Sequence, residues 1–324
     1  MILMCLSTRA DNSHMNTDIF SPQLAVEPSQ ALLPHWGVIR ATGADAAAFL
    51  HGQITHDVAL LPEGQARYAA YCNAQGRMQA NFLVWKRDQE IWIAAPASSI
   101  ESLIKRWRMF VLRAKCTFED LSSSHAVMGV WGAMVADWAG PSVWAVRHMP
   151  LGMAVRVPDA HLGEESVHRA LVVLNGPPPP QTSAEAANIW DCLDIQAGLP
   201  WVTPATANQL VPQMVNMESL DGVSFKKGCY PGQEVVARSQ FRGAIKRRGE
   251  RIRVNAPIQA GQEVFANGQA VGVVVNAAQT PEGVHAGFVS VHVGESDGHA
   301  LHIGAVDGPE AQRLGLPYPL LTDL

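Results

Sequence analysis

The residue with the clearest chemical potential is a cysteine within KKGCYPGQE, residues 226–234. Cys229 follows two lysines and a glycine, and a proline–glycine pair comes shortly after it. This pattern is typical of an exposed turn, and nearby cations favour thiolate over thiol. The alternative is burial as a small apolar residue, the common fate of a free cysteine. The flanking lysines and glycines favour the reactive thiol, available as a nucleophile or as a sulfur ligand.

The remaining cysteines form no C-x-x-C pair, which argues against a disulfide framework or a cysteine-bound metal within one chain. We expect reduced thiols with packing roles at Cys5, Cys72, Cys116 and Cys192. The opening MILMCL is shorter than a signal-peptide core, and no window reaches about 18 consecutive apolar residues. These features predict a cytoplasmic protein that does not enter a membrane.

Charge is distributed unevenly along the chain. Residues 226–253 carry nine lysines and arginines against two glutamates, although the whole chain has a formal net charge of −5. Such a segment suits a polyanionic ligand, such as a polyglutamate tail, or an RNA or protein partner. It equally suits a solvated basic face, and charge alone does not separate these interpretations. The net negative charge gives no general attraction to DNA or to anionic membranes.

Several motifs with known chemistry are missing. The sequence contains no GxGxxG, no GxxxxGK[ST] and no HExxH. Its histidines show no convincing metal-ligand spacing, so we predict no metal site. The candidate functional features that remain are the thiol and the basic segment.

Apolar spacing predicts the elements that position the N-terminal half. Residues 37–58 indicate a strand, a glycine turn and a helix. The buried face of that helix is expected to hold Ala46, Phe49, Leu50 and Ile54. Residues 68–96 predict a meander with turns at 73–76 and 87–90, and residues 100–115 predict a helix.

Further along, GPPPPQT at 176–182 is a linker-like break, followed by Ser183 as a helix N-cap and Gly198 as the end of that helix. From about residue 245, short alternating strands with a type I′ turn at Asn267–Gly268 indicate a small β-barrel. We therefore expect an α+β fold. Its parts are a loosely ordered lead-in at 1–34, two interleaved α+β domains at 35–244 and a C-terminal barrel at 245–324.

KKGCYPGQE and its continuation VVARSQFRGAIKRR resemble the signature of the YgfZ-type folate-binding proteins, paralogues of the aminomethyltransferase (T-protein) of glycine cleavage. Other blocks are similar to that family in the same order: FLHGQITHDV, AAYCNAQGRM, IQAGLPWV and LVPQMVNMESLDGVSFKKG. The resemblance covers about residues 36–255. The predicted β-barrel that follows fits the family's C-terminal domain.

The resemblance implies a three-domain ring around a channel that holds tetrahydrofolate, with Cys229 close to the channel. Its implied role is that of an accessory factor for synthesis or repair of iron–sulfur enzymes, including tRNA-modifying ones, which would be its protein partners. By this resemblance the candidate folate-binding residues are Tyr71, Asn73, Gln196, Gln213, Asn216, Lys227, Gly228, Tyr230, Gly232, Gln233, Glu234 and Arg238.

Two departures from the aminomethyltransferase weaken the expectation of aminomethyl transfer. Ala80 and Asn81 stand where that enzyme carries its acidic pair, and neither can accept a proton as a carboxylate does. Gln196 replaces the glutamate of the R-x-E-A-G block, so it offers a pterin N–H only a neutral acceptor. Two alternatives stay open: a folate-dependent one-carbon transferase, and a folate-independent module that docks RNA or protein.

Overall fold

The computed structural model describes residues 29–133, 135–163, 165–180, 183–243 and 245–321. Within them the strands are β1 (Ser29–Leu32), β2 (Trp36–Thr42), β3 (Ala66–Cys72), β4 (Met78–Arg87), β5 (Glu90–Pro96), β6 (Thr117–Asp120), β7 (His125–Trp131), β8 (Val146–Met149), β9 (Gly152–Leu162), β10 (Glu165–Asn175), β11 (Arg247–Val254), β12 (Glu263–Ala266), β13 (Gln269–Gln279), β14 (His285–His292), β15 (Leu301–Ile303) and β16 (Glu310–Leu314). The helices are α1 (Ala46–His51), α2 (Ala97–Phe110), α3 (Val135–Ala139), α4 (Ala184–Gln196), α5 (Gln233–Phe241) and α6 (Val293–Ser296), with 3₁₀ turns at Pro212–Val215 and Met217–Leu220.

The first sheet is antiparallel, with strand order β3-β4-β5-β2-β6. Helices α1 and α2 cover one of its faces. Buried residues of α2 recur at spacings of three and four, which places them on one side of the helix: Ile100, Leu103, Ile104 and Trp107. They pack with side chains of the sheet into a core that includes Ile39 and Phe82. The opposite face of this sheet packs into the central core of the molecule.

The second sheet has strand order β1-β7-β10-β9-β8, and its pairings are also antiparallel. One face carries α3 over a small core that contains Val130, Val135 and Val172. The other face contributes Trp131, Val155 and Leu171 to the central core. The short strand β1 lies within the expected lead-in, whose residues 1–28 fall outside the described part of the chain.

Helix α4 crosses the middle of the molecule and contacts both β9 and the barrel strand β13. Its N-cap is Ser183, whose hydroxyl accepts a 3.1 Å hydrogen bond from the Ala186 N–H, as the sequence predicts. The helix ends just before Gly198, which has φ +64°. A Cβ atom there would lie 2.7 Å from the Tyr318 ring, so the C-terminal segment requires glycine at this position.

The C-terminal part is a closed barrel with strand order β11-β14-β13-β12-β15-β16. The turn between β12 and β13 is Asn267–Gly268, with φ values of +47° and +75°, as a type I′ turn requires. The expected α+β architecture with a C-terminal β-barrel is confirmed. Among the described residues, no helix has the length and apolar content needed to span a membrane.

One local prediction needs correction. The helix expected within residues 37–58 ends at His51, so Ile54 does not belong to it. Gly52 closes the helix, and Ile54 instead forms a β-bridge with Tyr71 on β3. Ile54 is nevertheless fully buried, because the bridge holds it against the first sheet.

Candidate functional site

The loop that carries Cys229 is anchored by its neighbour Lys227. The Lys227 ammonium donates hydrogen bonds to the carbonyl oxygens of His51 and Ile54, the latter at 2.9 Å. It also lies 4.7 Å from the centre of the Tyr230 ring. Burial lowers the pKa of Lys227 to about 8, against the opposing effect of Asp57. The side chain therefore ties the loop to the end of α1 and is not a surface cation.

A second anchor lies at Gly232, immediately before α5. Its φ is +78°, and a Cβ atom there would lie 2.3 Å from the carbonyl oxygen of Asn73. Only glycine permits this approach of the loop to the 73–76 turn. Asn73 holds that turn, because its Oδ1 accepts from the N–H groups of Gln75 and Arg77 at 3.0 and 3.1 Å.

Between these anchors Cys229 is exposed, whereas Cys72, Cys116 and Cys192 are buried. Burial raises the pKa of the Cys72 thiol to about 12 and that of Cys116 to about 11, and it also raises the pKa of Cys192. Those three thiols are inert at neutral pH. Within the described chain, the loop therefore presents the accessible thiol.

Asn81, which the resemblance assigns to the position of a carboxylate in the aminomethyltransferase, has all its polar atoms engaged in the interior. Its Nδ2 donates to the Pro200 carbonyl at 2.8 Å and contacts the Tyr68 hydroxyl at 2.5 Å. Its Oδ1 accepts from the Val202 N–H at 2.7 Å. An amide can donate and accept at once, as this site requires, whereas a carboxylate can only accept. Asn81 thus fixes the segment that follows α4.

A buried ion pair joins the last turn of α4 to β10. Asp194 on α4 accepts from Arg169 of β10 at 2.6 Å and from the Trp201 indole N–H at 2.9 Å. Burial raises the pKa of Asp194 to about 6, although Arg169 opposes the shift. Gln196, one of the candidate folate-binding residues, is buried, and its side-chain amide donates to the carbonyl of His161. Its backbone carbonyl accepts from Arg251 of the barrel at 2.8 Å.

A cavity of about 370 Å³ lies where the first sheet, α4 and the barrel meet. Its lining residues are His35, Trp36, Pro96, Ser98, Asp191, Asp194, Ile195, Trp201, Thr203, Ile258, Gln259, Ala260, Asn276 and Ala277. Trp36 and Trp201 meet edge to face with ring centres 4.6 Å apart. At the mouth, His35 Nε2 lies 3.0 Å from Asp191 Oδ1. A mixed wall of aromatic, aliphatic and carboxylate groups is typical of small-molecule sites of this size.

The residues assigned to folate by resemblance are not gathered on that wall. Tyr71 faces the core under α2, 5.9 Å from the Trp107 ring. Gln213 donates to the Val236 carbonyl at 2.8 Å, and Asn216 exchanges two hydrogen bonds with Gly249 of the barrel. Asn73 lies in the 73–76 turn and Gln196 at the end of α4, and the other positions lie on the Cys229 loop and α5. Their assignment to a folate site stays a prediction.

The fold places some cations of the basic segment, residues 226–253, in the interior and leaves others on the surface. Arg248 is paired with the buried Glu218, and Arg251 is 4% exposed with its guanidinium on backbone carbonyls. Together with Lys227, they are removed from the surface. The cations left exposed within the segment include Lys226, Arg238, Arg242 and Lys246. The basic surface is therefore smaller than the sequence suggests.

Sequence reasoning missed the cavity residues and two groups beside the loop, His51 and Asp57. His51 Nδ1 lies 3.1 Å from Asp57 Oδ1. The motif FLHGQITHDV contains both residues, but a spacing of six positions does not place two side chains on one helix face, and the residues between them form no regular strand. Only the irregular segment after α1 brings them together.

Comparison with known proteins supports the resemblance. The GCVT N-terminal domain family matches residues 33–140. The tRNA-modifying protein YgfZ of Photobacterium profundum is 31% identical, over 66% of this chain and 67% of its own length. The protein of the same name from Cronobacter sakazakii is 30% identical, over 84% of this chain and 90% of its own length.

Among solved structures, the glycine cleavage system aminomethyltransferase T from Bartonella henselae matches with a TM-score of 0.61. The match covers 92% of this chain and 87% of that chain at 17% identity, so it defines the fold alone. The chain is thus built on the aminomethyltransferase fold. Within that class, the level and extent of identity to the curated relatives show that it belongs to the YgfZ family.

Proposed function

We propose that this protein is a tetrahydrofolate-binding factor for tRNA modification, which supports the synthesis or repair of iron–sulfur enzymes through the Cys229 thiol. The observation that carries the proposal is the exposure of Cys229 on a loop anchored at Lys227 and at Gly232. Its relatives are named tRNA-modifying proteins, which supports the coarser part of the role.

Tetrahydrofolate would fit the cavity beside α4. Its volume of about 370 Å³ lies within the usual range for small-molecule sites, and Trp36 and Trp201 supply aromatic surface for a pterin ring. The carboxylate of Asp191, 38% exposed at the mouth, can accept N–H bonds. Bound folate would supply a one-carbon carrier, whereas the residues of this chain bind and orient it. The cavity opens beside the exposed mouth pair His35–Asp191.

Aminomethyl transfer is disfavoured by the hydrogen bonds of Asn81. Both polar atoms of its amide hold the backbone of residues 200–202, so neither serves a substrate amine. A carboxylate base is also missing from positions 80 and 81. The reactive group in the proposed function is therefore the Cys229 thiol.

Complementation tests the role of the thiol. A strain lacking its own copy of the protein receives the wild type, Cys229→Ser or the control Cys116→Ser. Thiolated tRNA nucleosides and the activity of an iron–sulfur enzyme are then measured. We expect Cys229→Ser to fail and Cys116→Ser to restore both, because the Cys116 side chain is buried away from solvent. Full restoration by Cys229→Ser refutes a role for the thiol.

Calorimetric titration tests the cavity. We expect tetrahydrofolate to bind the wild type and Cys229→Ser alike, and to bind Asp191→Asn more weakly because the neutral amide is the poorer acceptor. If Asp191→Asn binds tetrahydrofolate as tightly as the wild type does, the ligand does not bind in this cavity. RNA binding that weakens with salt and ignores folate would instead favour the folate-independent docking module.

A further inference from the structure

The end of α1 places a histidine against the loop that carries the thiol. A Cβ atom placed at Gly228 would lie 3.5 Å from Nε2 of His51, and within the described part of the chain no other atom outside the neighbouring residues lies within 4 Å of it. The φ of Gly228 is not positive, so backbone conformation does not require glycine there. Nε2 therefore lies against the backbone of the residue that immediately precedes Cys229.

The other nitrogen of this imidazole is occupied. His51 Nδ1 lies 3.1 Å from Asp57 Oδ1, and a carboxylate at that distance holds the tautomer in which Nδ1 carries the proton. Nε2 is then an acceptor. Both side chains are about three-quarters buried, with relative exposures of 23% and 22%, so the pair is held by its surroundings.

The charges around the pair favour an ionised Asp57. Burial alone would raise its pKa, but the N–H of Leu60, His51 and His56 outweigh burial and lower the pKa. The titratable groups around the pair include His56 from its own segment and Lys227 from the loop, and Lys227 interacts electrostatically with both Asp57 and Cys229. Lys227 also binds the backbone carbonyl of His51, so loop and imidazole are fixed to each other.

We propose that His51, oriented by Asp57, is the base that removes the proton from the Cys229 thiol. The Sγ–H proton passes to Nε2, and the resulting imidazolium is stabilised by the Asp57 carboxylate. The thiolate is then free to attack an electrophile, and the imidazolium returns its proton to water. His51 is the proton acceptor, and Asp57 is a positioning residue. The inference rests on the proposed function only in taking Cys229 as the working thiol.

Alkylation of the purified full-length protein by iodoacetamide tests the proposal without any assay of biological activity. The thiolate forms the new C–S bond and iodide leaves, and mass spectrometry of the Cys229 peptide gives the rate. At pH 7 we expect His51→Gln to react about tenfold more slowly than the wild type, and Asp57→Asn to fall between them. The exposed His148→Gln, on β8, is the matched control and should react at the wild-type rate.

The dependence on pH separates a base from a structural role. Above about pH 9.5 an ordinary thiol is ionised without a base, so the rates of wild type and His51→Gln should converge to within about twofold. A His51→Gln rate equal to that of the wild type at pH 7 overturns the proposal. A His51→Gln rate that stays below the wild-type rate at high pH also overturns the proposal, because it would indicate a distorted loop. Complementation by Cys229→Ser would refute the proposed function while leaving this kinetic result intact.

Discussion

Replacing Asn81 by aspartate restores the kind of residue that the aminomethyltransferase carries at this position, and we expect it to destabilise this protein. Asn81 is fully buried. Its Oδ1 accepts from the Val202 N–H, and an aspartate oxygen can keep that bond. Its Nδ2, which donates to the Pro200 carbonyl at 2.8 Å, would become an oxygen facing an oxygen.

The magnitude follows from the partners that remain. The Tyr68 hydroxyl now donates to the Pro200 carbonyl at 2.6 Å, and it has one proton to share between that carbonyl and the new carboxylate. No cation bonds to Asn81, so the carboxylate would be buried without a partner of opposite charge. Such a charge costs about 3 to 5 kcal/mol. With a urea m-value of about 3 kcal/mol/M, the unfolding midpoint would fall by about 1 to 1.7 M.

The loss should depend on pH in a defined direction. Burial without a cation raises the folded-state pKa of the new aspartate above its unfolded value of about 3.9. The folded variant therefore binds more protons than the unfolded chain between these two values, and its stability falls as pH rises through that window. The deficit relative to wild type should be largest at pH 7 and should shrink by pH 5, where the neutral acid can donate to Pro200.

Urea unfolding followed by tryptophan fluorescence at pH 7 and pH 5 measures both effects. Asn255→Asp, at an exposed position in the loop after β11, is the matched control and should change the free energy of unfolding by less than about 0.5 kcal/mol. A variant as stable as wild type at pH 7 would refute the role assigned to the Asn81 amide. A deficit that grows toward pH 5 would refute the electrostatic reasoning.

Three further predictions concern the loop and the basic surface. At pH 8 iodoacetamide should modify Cys229 in the native protein and leave Cys72, Cys116 and Cys192 unmodified, as peptide mapping will show; labelling of the three buried thiols at the same rate would contradict their burial. Lys227→Met should lower the free energy of unfolding by about 2 kcal/mol, because two buried carbonyls lose their donor, whereas the exposed Lys226→Met should have little effect. Since burial lowers the pKa of Lys227 to about 8 from 10.5, the unfolded chain binds more protons between these values, and the stability of wild type relative to Lys227→Met should rise with pH across that window. For the alternative folate site on the Cys229 loop and α5, polyglutamylated folate should bind more tightly than the monoglutamate at low salt, by a margin that salt reduces, and Arg238→Gln with Arg242→Gln should remove the margin; equal affinities at low salt would assign these cations to a solvated face.

Much of the local structure could be predicted because its causes lie within a few residues. The Ser183 cap depends on a hydroxyl three positions before an N–H, and the Asn267–Gly268 turn depends on two residues that tolerate positive φ. The exposure of Cys229 follows from the polar and glycine residues on either side of it. Family membership likewise follows from the linear motif, since KKGCYPGQE is long and unusual in composition.

The tertiary structure decided which charged and polar residues are internal. Lys227, Arg248 and Arg251 have the same local appearance as Lys226 and Arg238. Lys227 and Arg251 are nevertheless buried, and Arg248 is mostly covered, because distant segments supply carbonyls or a carboxylate to them. The partners of Asn81 lie 119 and 121 positions away in sequence. The cavity likewise draws its wall from strands, a helix and the barrel. Periodicity and propensity report on neighbours along the chain, whereas burial of a polar group depends on partners that only chain folding brings within hydrogen-bonding distance.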